Sequence, residues 1–229
     1  NLTASMERVI YIIPTPIGNL EDITLRAIRV LKESDLILVE DSRVTRKLLN
    51  NYNITTKMMS YHAFNEHKKI DAIIDKIDAG LKVSLVSDAG TPSISDPGFL
   101  LIRACIKHNI TIACLPGPTA CITALVKSGL PCEKFHFEGF LPVKKKRAKL
   151  LNIIANHENT TVIYESPHRI LKTLDDLNQL CGERNIVVVK ELSKVYETAY
   201  RGNIQEVINE ISNSKLKGEF VIVLDGNKK

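Results

Sequence analysis

Residues 83–98 read VSLVSDAGTPSISDPG: a short run with three apolar residues in four, then twelve residues that include two glycines, two prolines and three serines. The run Val83 to Val86 has strand character. The segment after it is built from turn formers, and Phe99 opens the next helical pattern. A plain connection in a compact domain takes about 2 to 6 residues, so a twelve-residue loop that carries both Asp88 and Asp96 is long for a mere turn. In an open α/β sheet, ligands sit beyond the carboxyl ends of the strands. A bare loop there leaves room for a small molecule held by backbone.

The same alternation extends outward in both directions. Val9 to Ile13 is a strand ending in the loop PTPIGN (14–19), and an amphipathic helix runs from about Thr24 to Glu33 with Asp22 or Thr24 as its cap. Leu36 to Glu40 is a strand that runs into Asp41-Ser42-Arg43. Ile70, Ile73, Ile74 and Ile77 have helical spacing within Glu66 to Ala79, and Gly80 sits behind them as a C-terminal cap. Beyond the quoted loop come a helix over Phe99 to Lys107, a strand over Thr111 to Leu115, and Pro116-Gly117-Pro118-Thr119. Two prolines around a glycine stop regular structure, so a domain boundary is expected here, giving domains 1–116 and 117–229.

The second half is expected to repeat the pattern. Helices are read over Thr119 to Ser128, Lys145 to Asn156, Pro167 to Leu180 and Ile204 to Ser212, the last capped by Asn203; strands are read over Lys134 to Glu138, Thr160 to Glu165, Ile186 to Glu191 and Phe220 to Leu224. The fold class expected is α/β: two α/β domains, each a mostly parallel sheet faced by helices.

Bulk composition bounds the function. With 44% hydrophobic and 25% charged residues the chain has enough apolar surface for a core, and its apolar runs are too short for a membrane span. No membrane association and a cytoplasmic location are expected. Five scattered cysteines without CxxC spacing indicate neither a disulfide framework nor a zinc site. The motifs GxxxxGK[ST], GxGxxG, HExxH and GxSxG are all absent, which argues against P-loop hydrolysis, standard dinucleotide binding, a protein-ligated metal and an α/β-hydrolase.

The net charge is +5, and its densest part is Lys144-Lys145-Lys146-Arg147, where a helix should begin. Cations at a helix N-terminus oppose its dipole at a cost of about 0.3 to 1 kcal/mol each. A solvated surface helix and a phosphate-rich partner both account for the run, and the partner explains its position better. Phe135, Phe137 and Phe140 precede it, as core residues or as surfaces for stacked bases.

Nine stretches in order resemble the tetrapyrrole methylase superfamily and, within it, the ribosomal RNA small subunit methyltransferase I family. They are TPIGNLEDITLRA (15–27), EDSRVT (40–45), SDAGTPSISDPG (87–98), LPGPTA (115–120), SGLP (128–131), FEGFLP (137–142), YESPHR (164–169), KELSK (190–194) and KGEFVIV (217–223). Ser42 and Ser193 stand where the family more often shows Thr, and Thr119 where a smaller residue is frequent. The resemblance implies a class III methyltransferase whose two α/β domains hold S-adenosylmethionine in the cleft between them, usually as a homodimer and without a metal. It also implies 2′-O-methylation of a cytidine in the decoding region of 16S ribosomal RNA, as bare RNA or assembled 30S subunit.

On that resemblance, methyl transfer needs alignment of hydroxyl, methyl carbon and sulfur, and a group to take or stabilise the hydroxyl's charge. The candidates are Glu165 as base or hydrogen-bond acceptor and Lys190 or Arg43 as the positive group, each with a structural ion pair as the alternative. Cofactor contacts are expected at Pro14, Asp88, Gly90, Pro92, Ile94, Thr119, Ala120 and Tyr164, and RNA contacts at Lys144, Lys145, Lys146 and Arg147. Two other readings are a methyltransferase acting on a corrin or porphyrin precursor and a non-catalytic RNA-binding module. The basic run and the loops EDSR and YESPHR argue against the first, and cofactor affinity would exclude the second.

Overall fold

The structure, a computed structural model, describes residues 7–228. The chain divides into two compact units between Thr119 and Ala120. The PGPT junction, read from sequence as the start of the second domain, is bound to loops of the first unit. Thr91 Oγ1 donates to Pro118 O at 3.1 Å and lies 2.6 Å from Thr119 Oγ1, and a Cβ added to Gly117 would stand 2.7 Å from Pro14 Cβ.

In the first unit, strands β1 (Val9–Ile12), β2 (Leu36–Val39), β3 (Lys57–Ser60), β4 (Val83–Leu85) and β5 (Thr111–Cys114) form one sheet in the order β3-β2-β4-β1-β5, all parallel. Its central strands are apolar almost throughout because both faces are covered. On one face Ile10, Ile12, Leu38 and Leu85 pack with Ile73 and Ile77 of α3 (Glu66–Asp78) and Leu101 of α4 (Phe99–Lys107). On the other, Ile37 and Val39 meet Ala27, Val30 and Leu31 of α1 (Leu25–Glu33) and Leu48 and Leu49 of α2 (Ser42–Asn51). Thr24 caps α1, its Oγ1 accepting from Ala27 N at 3.0 Å. Each large buried aliphatic here contributes about 1.5 to 3 kcal/mol.

The second unit holds α5 (Ala120–Ser128), β6 (Phe135–Phe140), α6 (Arg147–Ala155), β7 (Thr160–Glu165), α7 (Ile170–Cys181), β8 (Asn185–Lys190), β9 (Thr198–Asn203), α8 (Ile204–Ser212) and β10 (Phe220–Leu224). Its sheet order is β6-β7-β10-β8-β9. The expectation of a mostly parallel sheet is corrected here, since only β6 and β7 pair in parallel and every other pairing is antiparallel. Alternation of strand and helix along a sequence carries no strand direction, and β10 inserts between β7 and β8 in the opposite sense. Ile163, Phe220 and Ile222 of the sheet pack against Leu151, Leu174, Val207 and Ile211 of helices α6 to α8. Asn203 and Glu206 form a capping box at the start of α8.

These topologies decide where loops gather. Five parallel strands put the loops after β1, β2, β3, β4 and β5 on one edge of the first sheet. In the second, β6, β7 and β8 run the same way, so Glu165 and Lys190 both end beside Phe220, the first residue of β10. Among the described residues no helix is long and apolar enough to cross a membrane.

Candidate functional site

The loop after β4 is stitched to its neighbours by backbone. Ile13 N donates to Leu85 O, and Thr15 and Gly90 form an isolated antiparallel bridge. Thr15 Oγ1, buried, donates to Ser87 O at 3.0 Å, and Ser87 Oγ donates to Gly90 O at 3.1 Å. Gly90 has φ +78°, where an L side chain is strained. Ser93 and Ser95 adopt φ +73° and +63° without being glycine, so this segment stores backbone strain of the kind that collects at ligand loops.

The loop after β2 joins the same edge. Asp41 caps α2 by accepting from Arg43 N at 2.8 Å, and its own N–H donates to Asp88 Oδ1 at 3.0 Å. The Arg43 guanidinium grips both Asp41 oxygens and holds that carboxyl at about 2. Arg43 itself is 88% exposed, so its remaining donors face solvent.

A group of carboxyls results that no spacing in the sequence announces. Burial, then the neighbouring Asp88, raises Glu40; burial, opposed by the hydrogen bond from Asp41 and aided by the Asp41 charge, raises Asp88. Burial, with Glu40 and Asp88 close by, lifts Asp96 to about 7. Glu40 and Asp96 lie far apart in the chain, and the β2/β4 pairing brings the loops that carry them to one edge, where Glu40 acts electrostatically on Asp96. Among the described residues no group of His, Cys, Asp and Glu is arranged to hold a metal ion.

The expected cofactor contacts thus fall into two sets. Pro14, Asp88, Gly90, Pro92, Ile94 and Thr119 lie on the loop edge of the first unit, Pro14 and Pro92 buried and Ile94 exposed. Ala120 and Tyr164 belong to the second unit, where the Tyr164 hydroxyl accepts from Cys121 N at 2.9 Å in the first turn of α5.

Burial sets two of the expected residues apart. Glu165 has a fully buried side chain: Oε1 accepts from Ser166 N at 2.8 Å and faces Arg169 Nε at 3.5 Å, and Oε2 accepts from Thr173 Oγ1 at 2.7 Å. It organises the start of α7. Arg147 is only 6% exposed and does not belong to the surface run. Its guanidinium donates to Asp176 Oδ2 at 2.8 and 3.1 Å, to Thr173 Oγ1 and to Pro142 O. Lys144, Lys145 and Lys146 are exposed. Lys190 donates from Nζ to Lys215 O and lies over the Phe220 ring.

Comparison with known proteins places this arrangement. The family model described as Tetrapyrrole (Corrin/Porphyrin) Methylases matches residues 9–208. A curated protein of Halalkalibacterium halodurans named Ribosomal RNA small subunit methyltransferase I is 46% identical over 95% of this chain and 76% of its own length. Among solved structures, the cobalamin biosynthetic enzyme cobalt precorrin-4 methyltransferase superposes with a TM-score of 0.74 at 17% identity, covering 98% of both chains. The uroporphyrin-III C-methyl transferase of Thermus thermophilus, complexed with S-adenosyl homocysteine, does so with a TM-score of 0.63 at 20% identity, covering 93% of this chain and 96% of its own. With a family model over most of its length and a relative 46% identical over 95% of it, the chain belongs to the tetrapyrrole methylases, in the group of ribosomal RNA small subunit methyltransferase I proteins.

Proposed function

We propose that this protein transfers the methyl group of S-adenosylmethionine to the 2′-hydroxyl of a cytidine in the decoding region of small-subunit ribosomal RNA. The observation that carries this reading is the 46% identity, over 95% of the chain, to a protein named for ribosomal RNA methylation. Two features of the structure support it: a loop edge short of side-chain bulk beside clustered carboxyls, and three exposed lysines that suit a phosphate backbone.

The residues fit the cofactor by charge and by shape. S-adenosylmethionine supplies an activated methyl group on a sulfonium cation. Glu40, Asp88 and Asp96 would offer that cation a negative field in a partly desolvated place, where electrostatic attraction is strong. Gly90 gives the loop a φ of +78°, a backbone that an L side chain rarely adopts. Backbone donors and acceptors of residues 87–98 would align the methyl carbon, and such positioning is worth roughly 7 to 11 kcal/mol of barrier.

Asp96, on the same loop edge as Asp88 and raised to about 7, joins Glu165 as a candidate to receive the ribose proton at a carboxylate oxygen. Arg43, exposed beyond its bond to Asp41, would steady the negative charge of the adjoining phosphate.

Labelled S-adenosylmethionine incubated with 30S particles lacking the modification tests the reading. Label on a cytidine 2′-oxygen is the expected result, and label on a base, or none while cofactor binds, would overturn it.

A further inference from the structure

We infer that Phe140 is a stacking platform for an unpaired base of the RNA substrate, with Lys144, Lys145 and Lys146 gripping the phosphates beside it. The inference rests on the ribosomal-RNA reading above and adds how the substrate is held. Three phenylalanines lie on β6, and the sequence does not say which of them is available.

Exposure selects one, Phe140 being 55% exposed against 36% for Phe135 and a half-buried Phe137, and the strand's register explains its support. Side chains alternate along a strand, so Phe137 and Phe140, three apart, would ordinarily point to opposite faces. The pairing with β7 shifts between them: Phe137 opposes Val162, Gly139 opposes Ile163 and Phe140 opposes Tyr164. Gly139 has φ +60°, which supplies the kink, and Glu138 is the extra residue of the bulge. The bulge therefore brings Phe137 and Phe140 to the same face, both beside Tyr164 of the neighbouring strand.

Both rings meet Tyr164 edge-on, Phe137 at 5.0 Å and 70° and Phe140 at 5.7 Å and 65° between centroids and planes. Tyr164 is in turn fixed by Cys121 N. Phe137 is half buried by this arrangement, whereas Phe140 is supported at its edge and still 55% exposed. A rigid, exposed aromatic face next to a basic strip is the combination that holds single-stranded nucleic acid, stacking giving base contact and cations giving phosphate contact. The basic strip comes at once: Val143 is exposed and Lys144 to Lys146 are exposed, with Arg147 turned inward to Asp176. Lys144 lies four residues beyond Phe140, a chain reach of at most about 14 Å. An acidic polymer with free bases matches both halves of this surface.

The test uses fluorescein-labelled single-stranded RNA of the decoding region, intact 30S subunits, and calorimetry with S-adenosylmethionine. Phe140→Ala should weaken RNA binding and raise the KM for 30S roughly 5- to 150-fold, the range for losing one stacked base. Phe140→Tyr should stay within about 3-fold of wild type, Phe140→Leu should fall with alanine, and cofactor affinity should hold in all three, since tyrosine keeps the π-face and leucine does not. The salt dependence of RNA binding should be unchanged in Phe140→Ala and shallower in the Lys144→Glu, Lys145→Glu, Lys146→Glu triple variant. Wild-type behaviour of Phe140→Leu, or a loss confined to cofactor binding or to self-association in sedimentation, overturns the stacking role. Wild-type protein that neither binds RNA nor modifies 30S overturns the ribosomal-RNA reading and the inference with it; an unaffected Phe140→Ala beside a wild type that binds RNA overturns the stacking alone.

Discussion

Thr15 and Gly90 exchange two backbone hydrogen bonds, Thr15 N donating to Gly90 O at 3.0 Å and Gly90 N to Thr15 O at 2.9 Å. This bridge ties the loop after β1 to the loop after β4, and it requires the left-handed backbone of Gly90. Gly90→Ala should therefore cost about 1 to 2 kcal/mol in urea unfolding and weaken cofactor binding together. Lost stability with unaltered calorimetric affinity would separate the bridge from the ligand.

Asp88 joins the β2 and β4 loops through a single acceptor atom, Oδ1, on Asp41 N. Asp88→Ala leaves that N–H without its partner, at about 1 to 3 kcal/mol, whereas Asp88→Asn keeps an acceptor and discards the charge. The alanine variant should lose stability and cofactor affinity; the asparagine variant should recover most of the stability and stay about tenfold weaker for the cationic cofactor, the loss expected for one charge contact. Chemical denaturation and calorimetry on both variants measure the two effects separately.

Asp96, at about 7 in the fold against 3.8 in an unfolded chain, prefers to be neutral where it sits. A raised carboxyl stabilises the fold fully below about 3.8 and loses that contribution as pH climbs through about 7. At 1.36 kcal/mol per unit, the loss by pH 8 reaches up to about 4 kcal/mol. Asp96→Asn should thus match the wild type near pH 4, exceed it in stability at pH 8, and lose methyl transfer if Asp96 takes the proton. Urea midpoints at the two pH values that shift in parallel would contradict this.

Arg147 and the three lysines before it should respond in opposite ways. Arg147→Ala leaves Asp176 with only its exposed ion pair to Lys172 and takes a donor from Thr173 and from Pro142 O, and leaving such acceptors unpaired costs about 1 to 3 kcal/mol. Glutamates in place of Lys144, Lys145 and Lys146 should leave the thermal midpoint near that of the wild type and cut RNA affinity steeply at low salt. RNA binding by filter retention, read beside thermal melts, tells the two apart.

Much of the fold was legible in the chain. Val9 to Ile12, Leu36 to Val39 and Val83 to Leu85 read as strands because they are mostly apolar, and Thr24 and Asn203 mark helix starts by their side-chain acceptors. Three elements were not. α2 reads SRVTRKLLNN, with only Thr45, Leu48 and Leu49 buried; β3 is the half-exposed edge segment KMMS; and β9, TAYRGN, is likewise a partly exposed edge strand. Exposed edge strands and polar helices bury too little to leave a strong periodic signature.

For the site, the sequence by itself determined which loops end strands, that SDAGTPSISDPG is bare and long, and that a basic run precedes a helix, since those properties are local. Tertiary structure alone decided the direction of β10, the meeting of Glu40, Asp88 and Asp96, the inward turn of Arg147 and Glu165, and the shared face of Phe137 and Phe140. Each of these depends on which strands pair and in what register, and that is set by contacts between segments far apart in the chain, where a one-residue bulge moves a ring from one face of a sheet to the other.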